Sequence, residues 1–216
     1  MGEPVRIYVF CEGQTEETFV KTILYSHFLS LGRYITPIIV ATSGHSKGGL
    51  HSYAQLRGQV LRKCKEDPSA WVTTMVDLYA LPKDFPCAAE KYPTPTQKAI
   101  AICGAFVQDI AQRNFVANIM VHEFETLLFS APEYFDGWFD NSAAKKLEKI
   151  LAEHGGQPES INDGPMTAPS KQILSVCSNY DKVLHGSLIA NDIGLPQMRI
   201  KCPVFDRWLT TLEKLQ

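Results

Sequence analysis

An α/β fold built on a mostly parallel sheet is what this sequence predicts, and three observations carry the prediction. Four short apolar runs alternate with three amphipathic stretches between residues 5 and 122, the order that gives parallel strands joined by helical crossovers. Apolar side chains in the intervening stretches recur at helical spacing. Beyond residue 122 no convincing strand is left, so the tail is expected to be helical.

Each element has its own signature. "VRIYVFC" (5–11) is a buried strand. Residues 15–31 form a helix through Phe19, Val20, Ile23, Leu24, Phe28 and Leu31, ended by Gly32. "YITPIIVAT" is the second strand, with Pro37 tolerated only near its start. After the loop "SGHSKGGLHS", a helix over 52–66 carries Tyr53, Leu56, Val60, Leu61 and Cys64 on one face. "WVTTMV" is the third strand and ends at Asp77; "FVANIMV" is the fourth and ends at His122 and Glu123. Between them, Thr94, Pro95 and Gln97 form a helix start ahead of the stripe Ala99, Ile100, Cys103, Phe106, Val107 and Ile110. Tail helices are expected near 123–130, 142–154, 168–178 and 203–215. The organisation is thus an α/β core over 1–130 and a helical C-terminal lobe over 131–216, packed as one compact unit. Its four-stranded sheet is flanked by helices.

Composition bounds the function classes. The chain has 216 residues, 45% of them hydrophobic and 20% charged, with a formal charge of -2. No global field invites nucleic acid, so a polyanion would need a local basic patch or a bound metal. Six cysteines lack any C-x-x-C pair, which disfavours a zinc ribbon and suits a reducing, cytoplasmic setting. The start "MGEPVRIYVFCEG" is too short in apolar length for a signal peptide, and Arg6 breaks a myristoylation pattern. No window approaches 18 apolar residues, so no membrane association is expected. "HEFET" is not H-E-x-x-H, no G-x-S-x-G elbow is present, and no G-x-G-x-x-G follows the first strand.

What remains is the chemistry at the strand ends, where open α/β sheets bind ligands. The first strand delivers Glu12, the third Asp77, and the fourth His122, Glu123 and Glu125. Carboxylates gathered at one rim repel unless a cation compensates, and Mg²⁺ or Mn²⁺ takes such oxygens while leaving room for phosphate. Glu12, Asp77, Glu123 and Glu125 are therefore candidate metal ligands. Glu123 is expected to face inward and Glu125 to face solvent, because residues two apart do not share a helix face. Glu16 and Glu17 are read as helix-capping acids, and His122 as a half-buried histidine rather than a ligand. Lys171, placed after Thr167 as N-cap, and Lys182 would stabilise charge on phosphorus, and His185 would serve as acid or base. The other reading of each is a solvated lysine or a helix-ending histidine. The glycine-rich loop reads as a flexible connection, and the other reading has Ser46 and Lys47 touch substrate. Phe135 and Trp138 would stack bases or pin a loop to the core.

"VFCEGQTEE" and the strand-terminal "MVDLYALP" resemble a Toprim domain, the catalytic module of topoisomerases, primases and OLD-type nucleases. The resemblance implies that Glu12 matches that family's glutamate and Asp77 the first aspartate of its acidic pair. Tyr79 stands in place of the second. With "HEFETLLFS", "TAPSK", "HG" and "KCPVFDRWL", nearly the whole chain resembles a bacterial Toprim-like family of unknown function, domain of unknown function 4276. The resemblance implies a Toprim-like, Rossmann-like fold and a Mg²⁺- or Mn²⁺-dependent nuclease acting on nucleic acid, DNA before RNA. It also implies a place in phage defence beside an ATPase. The other reading it leaves is a non-catalytic partner or regulatory subunit of such an ATPase.

Overall fold

The N-terminal apolar run becomes β1 (Val5–Cys11), paired in parallel with β2 (Arg33–Ile39) on one side and β3 (Trp71–Asp77) on the other. The structure is a computed structural model and describes residues 4–41, 49–140, 142–161, 164 and 166–216. The fourth predicted strand is present as two pieces, β4 (Phe115–Val116) and β5 (Ile119–Met120), both parallel to β3. At the break between them a side chain replaces the ladder. The Thr74 hydroxyl donates to the Asn118 carbonyl (2.6 Å) and accepts from the Asn118 amide (3.0 Å).

The strand order is β2-β1-β3-β4. The chain leaves β1 for one edge and later returns on its other side. A topological switch point therefore lies between β1 and β3, where the crossovers diverge and leave a crevice. Pro37 is fifth of seven residues in β2, not near its start. It is tolerated because β2 is an edge strand, where a missing N–H removes no ladder bond.

The predicted first helix is α1 (Gln14–Phe19), a π-helical turn (Val20–Leu24) and α2 (Tyr25–Ser30) in succession. α3 (Tyr53–Glu66) and α4 (Pro95–Ile110) match their predicted spans closely, and the Thr94 hydroxyl accepts from the Gln97 amide (3.2 Å). The segment predicted as a helix over 123–130 is a 3₁₀ helix (Phe124–Ser130), followed by a second (Pro132–Gly137). All seven residues of the first are buried. Then come α5 (Ala143–Glu153), α6 (Pro169–Val176), α7 (Leu184–Ile193), α8 (Leu195–Lys201) and α9 (Pro203–Glu213). α7 and α8 were not foreseen, since Gly186, Gly194 and Pro196 interrupt their pattern.

Period-two alternation divides the core. Ile7 and Val9 of β1 and Met75 of β3 face α1, α2 and the tail, packing with Phe19, Phe28, Phe124, Phe205 and Leu209. Phe10, Val72 and Val76 face α3 and α4, packing with Leu56, Val60, Ile102 and Phe106. Each fully buried side chain of this size contributes about 1.5–3 kcal/mol. Trp208 of α9 adds an indole N–H donated to the Thr73 hydroxyl (2.9 Å). Trp71, Thr73 and Met75 line the tail-covered face, and Asp77 continues that row. Among the described residues, no helix is long and apolar enough to cross a membrane.

Candidate active site

The turn after β1 and the end of β3 are tied together by Glu12. One carboxylate oxygen accepts from the Asp77 amide (3.2 Å), the other from the Leu50 amide (3.2 Å). Glu12 and Asp77, 65 residues apart along the chain, thus flank the switch point between β1 and β3. Asp77 is buried, and among the described residues its Oδ1 has no hydrogen-bond partner. Its Oδ2 lies 3.7 Å from the Lys182 ammonium, which also stands 3.1 Å from Oε2 of Glu125. Glu125 is fully buried, and its Oε1 accepts from the Tyr180 hydroxyl (3.4 Å). Lys182 therefore bridges Asp77 and Glu125.

Two further carboxylates act on this group. Glu16, in the first turn of α1, is buried and its Oε2 accepts from the Gly13 amide (2.9 Å). Its charge is felt at both Asp77 and Glu12. Glu123 is felt at Glu125 and Lys182. Burial holds the Asp77 carboxyl well above the ordinary aspartate range; Lys182 opposes this, while Glu16, Glu12 and Glu125 reinforce it. Burial likewise raises Glu12 against the amides of Asp77 and Leu50. Glu125 is pushed up to about 7 by burial, against Lys182 and with Glu123. Burial pulls Lys182 down, but Asp77, Glu125, Glu16 and Glu123 outweigh it, so the ammonium is held above its usual value. The shifts of Glu12, Asp77, Glu125 and Lys182 are therefore interdependent.

Several expectations are corrected. Neither Glu123 nor Glu125 turns to solvent, since both are buried. Glu125, not Glu123, reaches Lys182; Glu123 instead accepts from the Ser170 amide (2.6 Å) at the start of α6. Thr167 does not cap α6, because Ala168 holds the N-cap position and the carboxylate of Glu123 serves the exposed amide. Lys171 is exposed and, among the described residues, forms no ion pair. The Nδ1 atom of His185 accepts from the Asp181 amide (2.8 Å), and its ring packs 5.0 Å from Phe139. It thereby closes the turn that carries Lys182. His122 is fully buried with φ 64°, its Nε2 3.1 Å from the Glu159 carbonyl. Phe135 is buried against Phe139, and the Trp138 indole donates to Asp192 (2.8 Å). Ser46 and Lys47 lie outside the described residues.

Glu16, Tyr180 and Gly186 were not singled out for this site. Glu16 both caps and enters the cluster, and only its burial distinguishes the two roles. Gly186 permits the approach of α7: a Cβ there would lie 2.8 Å from the Tyr180 hydroxyl and 3.4 Å from the Phe124 ring. That contact sets the turn holding Lys182, and the "HG" step was its trace in sequence.

The donor set fits a hard divalent cation in its chemistry. The charges of five carboxylates (Glu12, Glu16, Asp77, Glu123 and Glu125) act on the ammonium of Lys182, and among the described residues Asp77 Oδ1 is buried without a donor. As the side chains stand, no three ligating groups among the described residues converge on one point. Each carboxylate leans on an internal donor instead.

Residues 11–213 match the family described as "Domain of unknown function (DUF4276)". Two solved structures are similar. The C-terminal region of the Burkholderia pseudomallei OLD protein shares 14% identity over 97% of each chain, with a TM-score of 0.46. The C-terminal region of the Xanthomonas campestris pv. campestris OLD protein shares 12% identity over 96% of this chain and 98% of that one, with a TM-score of 0.40. No curated protein matches the sequence.

Proposed function

The chain belongs to the family described as Domain of unknown function (DUF4276), and from that premise we propose that it is a divalent-metal-dependent phosphodiesterase acting on nucleic acid. One observation carries the reading. Glu12 and Asp77 meet at the switch point of a parallel sheet, with Glu125 and Lys182 closing the group. Glu12, Asp77 and Glu125 would hold Mg²⁺ or Mn²⁺ by turning from the internal donors they now lean on, with Glu16 adding field. When bound, such a cation supplies Lewis-acid polarisation of a phosphodiester oxygen. Lys182 stays protonated and presents a fixed positive charge toward the phosphate, where negative charge grows during displacement. Burial of Asp77 and Glu125 lowers the local dielectric and strengthens both effects. DNA as the first substrate, a cytoplasmic setting and an ATPase neighbour in phage defence extend the sequence resemblance and belong to the same proposal.

The test is divalent-dependent plasmid nicking by the wild type, Glu12→Gln and Asp77→Asn. Both variants are expected to fold and to lose cleavage; full cleavage by a folded Asp77→Asn protein removes Asp77 from the chemistry. A second reading, a non-catalytic partner subunit, is favoured by Lys182 already standing between Asp77 and Glu125. Mn²⁺ titration separates the two: saturable binding lost in Asp77→Asn supports the enzyme, and no binding at millimolar Mn²⁺ supports the partner.

A further inference from the structure

We propose that a pocket beyond the end of β3 seats a phosphate of a nucleic-acid backbone, with Lys83 and Lys98 as its positive charge. The inference rests on the phosphodiester reading above. Leu78, Tyr79 and Leu81, from the loop that follows Asp77, line a cavity of ≈ 260 Å³ together with Lys83, Ala88 and Lys98. Consecutive Cα atoms are about 3.8 Å apart, so Tyr79 lies within about 8 Å of Asp77. Leu78, Leu81 and Ala88 pack with the α3/α4 core, so the pocket opens on the α4 side of the same sheet edge at which Asp77 ends β3.

Its charge is of one sign. The only charged lining residues are the two lysines, and neither forms an ion pair among the described residues. Two acids of the same loop are engaged elsewhere: the Asp84 carboxylate accepts from the Ser52 hydroxyl (3.0 Å) and the Tyr53 amide (2.9 Å) at the start of α3, and Glu90 accepts from the Tyr92 hydroxyl (2.8 Å). The wall is built in advance of any ligand. Phe85 is buried between Tyr53 (4.6 Å) and Phe106 (5.7 Å), and the Tyr79 amide donates to the His122 carbonyl (2.7 Å). Ala80 is held at φ 57°, a left-handed conformation that L-residues other than glycine adopt only under constraint.

Size selects the occupant. Pockets for whole small molecules run about 300–1,000 Å³ and are mostly apolar. This one is smaller and cationic, which suits a phosphate and part of its sugar while the rest of the strand continues across the rim. With a net charge of -2 and carboxylates at the centre, a polyanion needs such an anchor to approach at all.

The experiment uses the full chain with Lys83→Gln/Lys98→Gln and, as the charge-conserving control, Lys83→Arg/Lys98→Arg. Binding of a labelled DNA oligonucleotide is followed by anisotropy over a KCl series, with Ca²⁺ as the divalent ion. Mn²⁺ binding is measured separately by calorimetry. The Gln pair is expected to lose about tenfold or more in affinity and to flatten the salt slope by roughly 1.5–2, the share of two phosphate contacts. The Arg pair should keep both, and Mn²⁺ binding should be unchanged in all. A Gln pair with wild-type affinity and slope overturns the proposal, as does a wild type that binds Mn²⁺ but no oligonucleotide. Competition by a mononucleotide or inorganic phosphate as strong as that by the oligonucleotide overturns the assignment to a polymer. Loss of Mn²⁺ binding in Asp77→Asn, tested alongside, reports on the acidic centre independently.

Discussion

Replacing Lys182 by Met removes the one ammonium between two buried carboxylates and leaves the aliphatic stem nearly intact. Glu125 is fully buried and sits 3.1 Å from that ammonium; Asp77 is buried and 3.7 Å away. Breaking a buried pair from one side costs about 3–5 kcal/mol. The Lys182 side chain keeps 38% of its surface exposed, so the lower end, about 3 kcal/mol at pH 8, is the expected loss. For a chain of this length that is a fall in Tm of about 6–12 °C. The loss must depend on pH. Glu125 is raised to about 7 by burial even with the lysine present. An acid whose folded pKa lies above its unfolded value near 4.3 contributes stability fully below that value and loses it as pH rises toward 7. In the wild type this is a decline of about 3 kcal/mol across that window. Without Lys182 the folded value rises further, so at pH 5.5 Glu125 is already neutral and the penalty should shrink to less than half. Thermal melts of both proteins at pH 5.5 and 8, without divalent ions, test this. A Tm difference equal at the two pH values, or absent at pH 8, would refute the bridging role. Millimolar Mn²⁺ should restore much of the difference at pH 8.

Other outcomes follow from the same geometry. Glu125→Gln should flatten the stability-versus-pH curve between about 5 and 8 and raise the metal-free Tm at pH 8, as seen by calorimetry. Gly186→Ala should lower stability by about 1–3 kcal/mol through the clash with the Tyr180 hydroxyl; adding Tyr180→Phe removes the atom struck, so denaturant melts of the double variant should recover part of the loss. Glu123→Gln weakens a charged cap on α6 and should cost about 1 kcal/mol, with Mn²⁺ affinity measured by calorimetry falling less than in Glu125→Gln.

The fold was legible in local patterns because strand and helix periodicities are properties of short windows. Residues 5–11, 53–66 and 95–110 show the alternation, spacing and capping that their elements require. Even the broken fourth strand was visible as a single apolar run. The rim of carboxylates was legible too, since Glu12 and Asp77 each end a strand, and parallel strands must deliver their ends to one edge. The partners of those carboxylates were not legible. Whether Glu123 or Glu125 meets the ammonium depends on the backbone entering a 3₁₀ rather than an α-helix after β5, a choice made by burial on every side. Lys171 and Lys182 are alike as letters; only the packing of α7, allowed by Gly186 against Tyr180, sets one between two acids and leaves the other in water. Local chain stiffness and side-chain period act over a few residues, whereas Coulomb attraction and desolvation act between groups whose separation exists only once the chain has closed on itself.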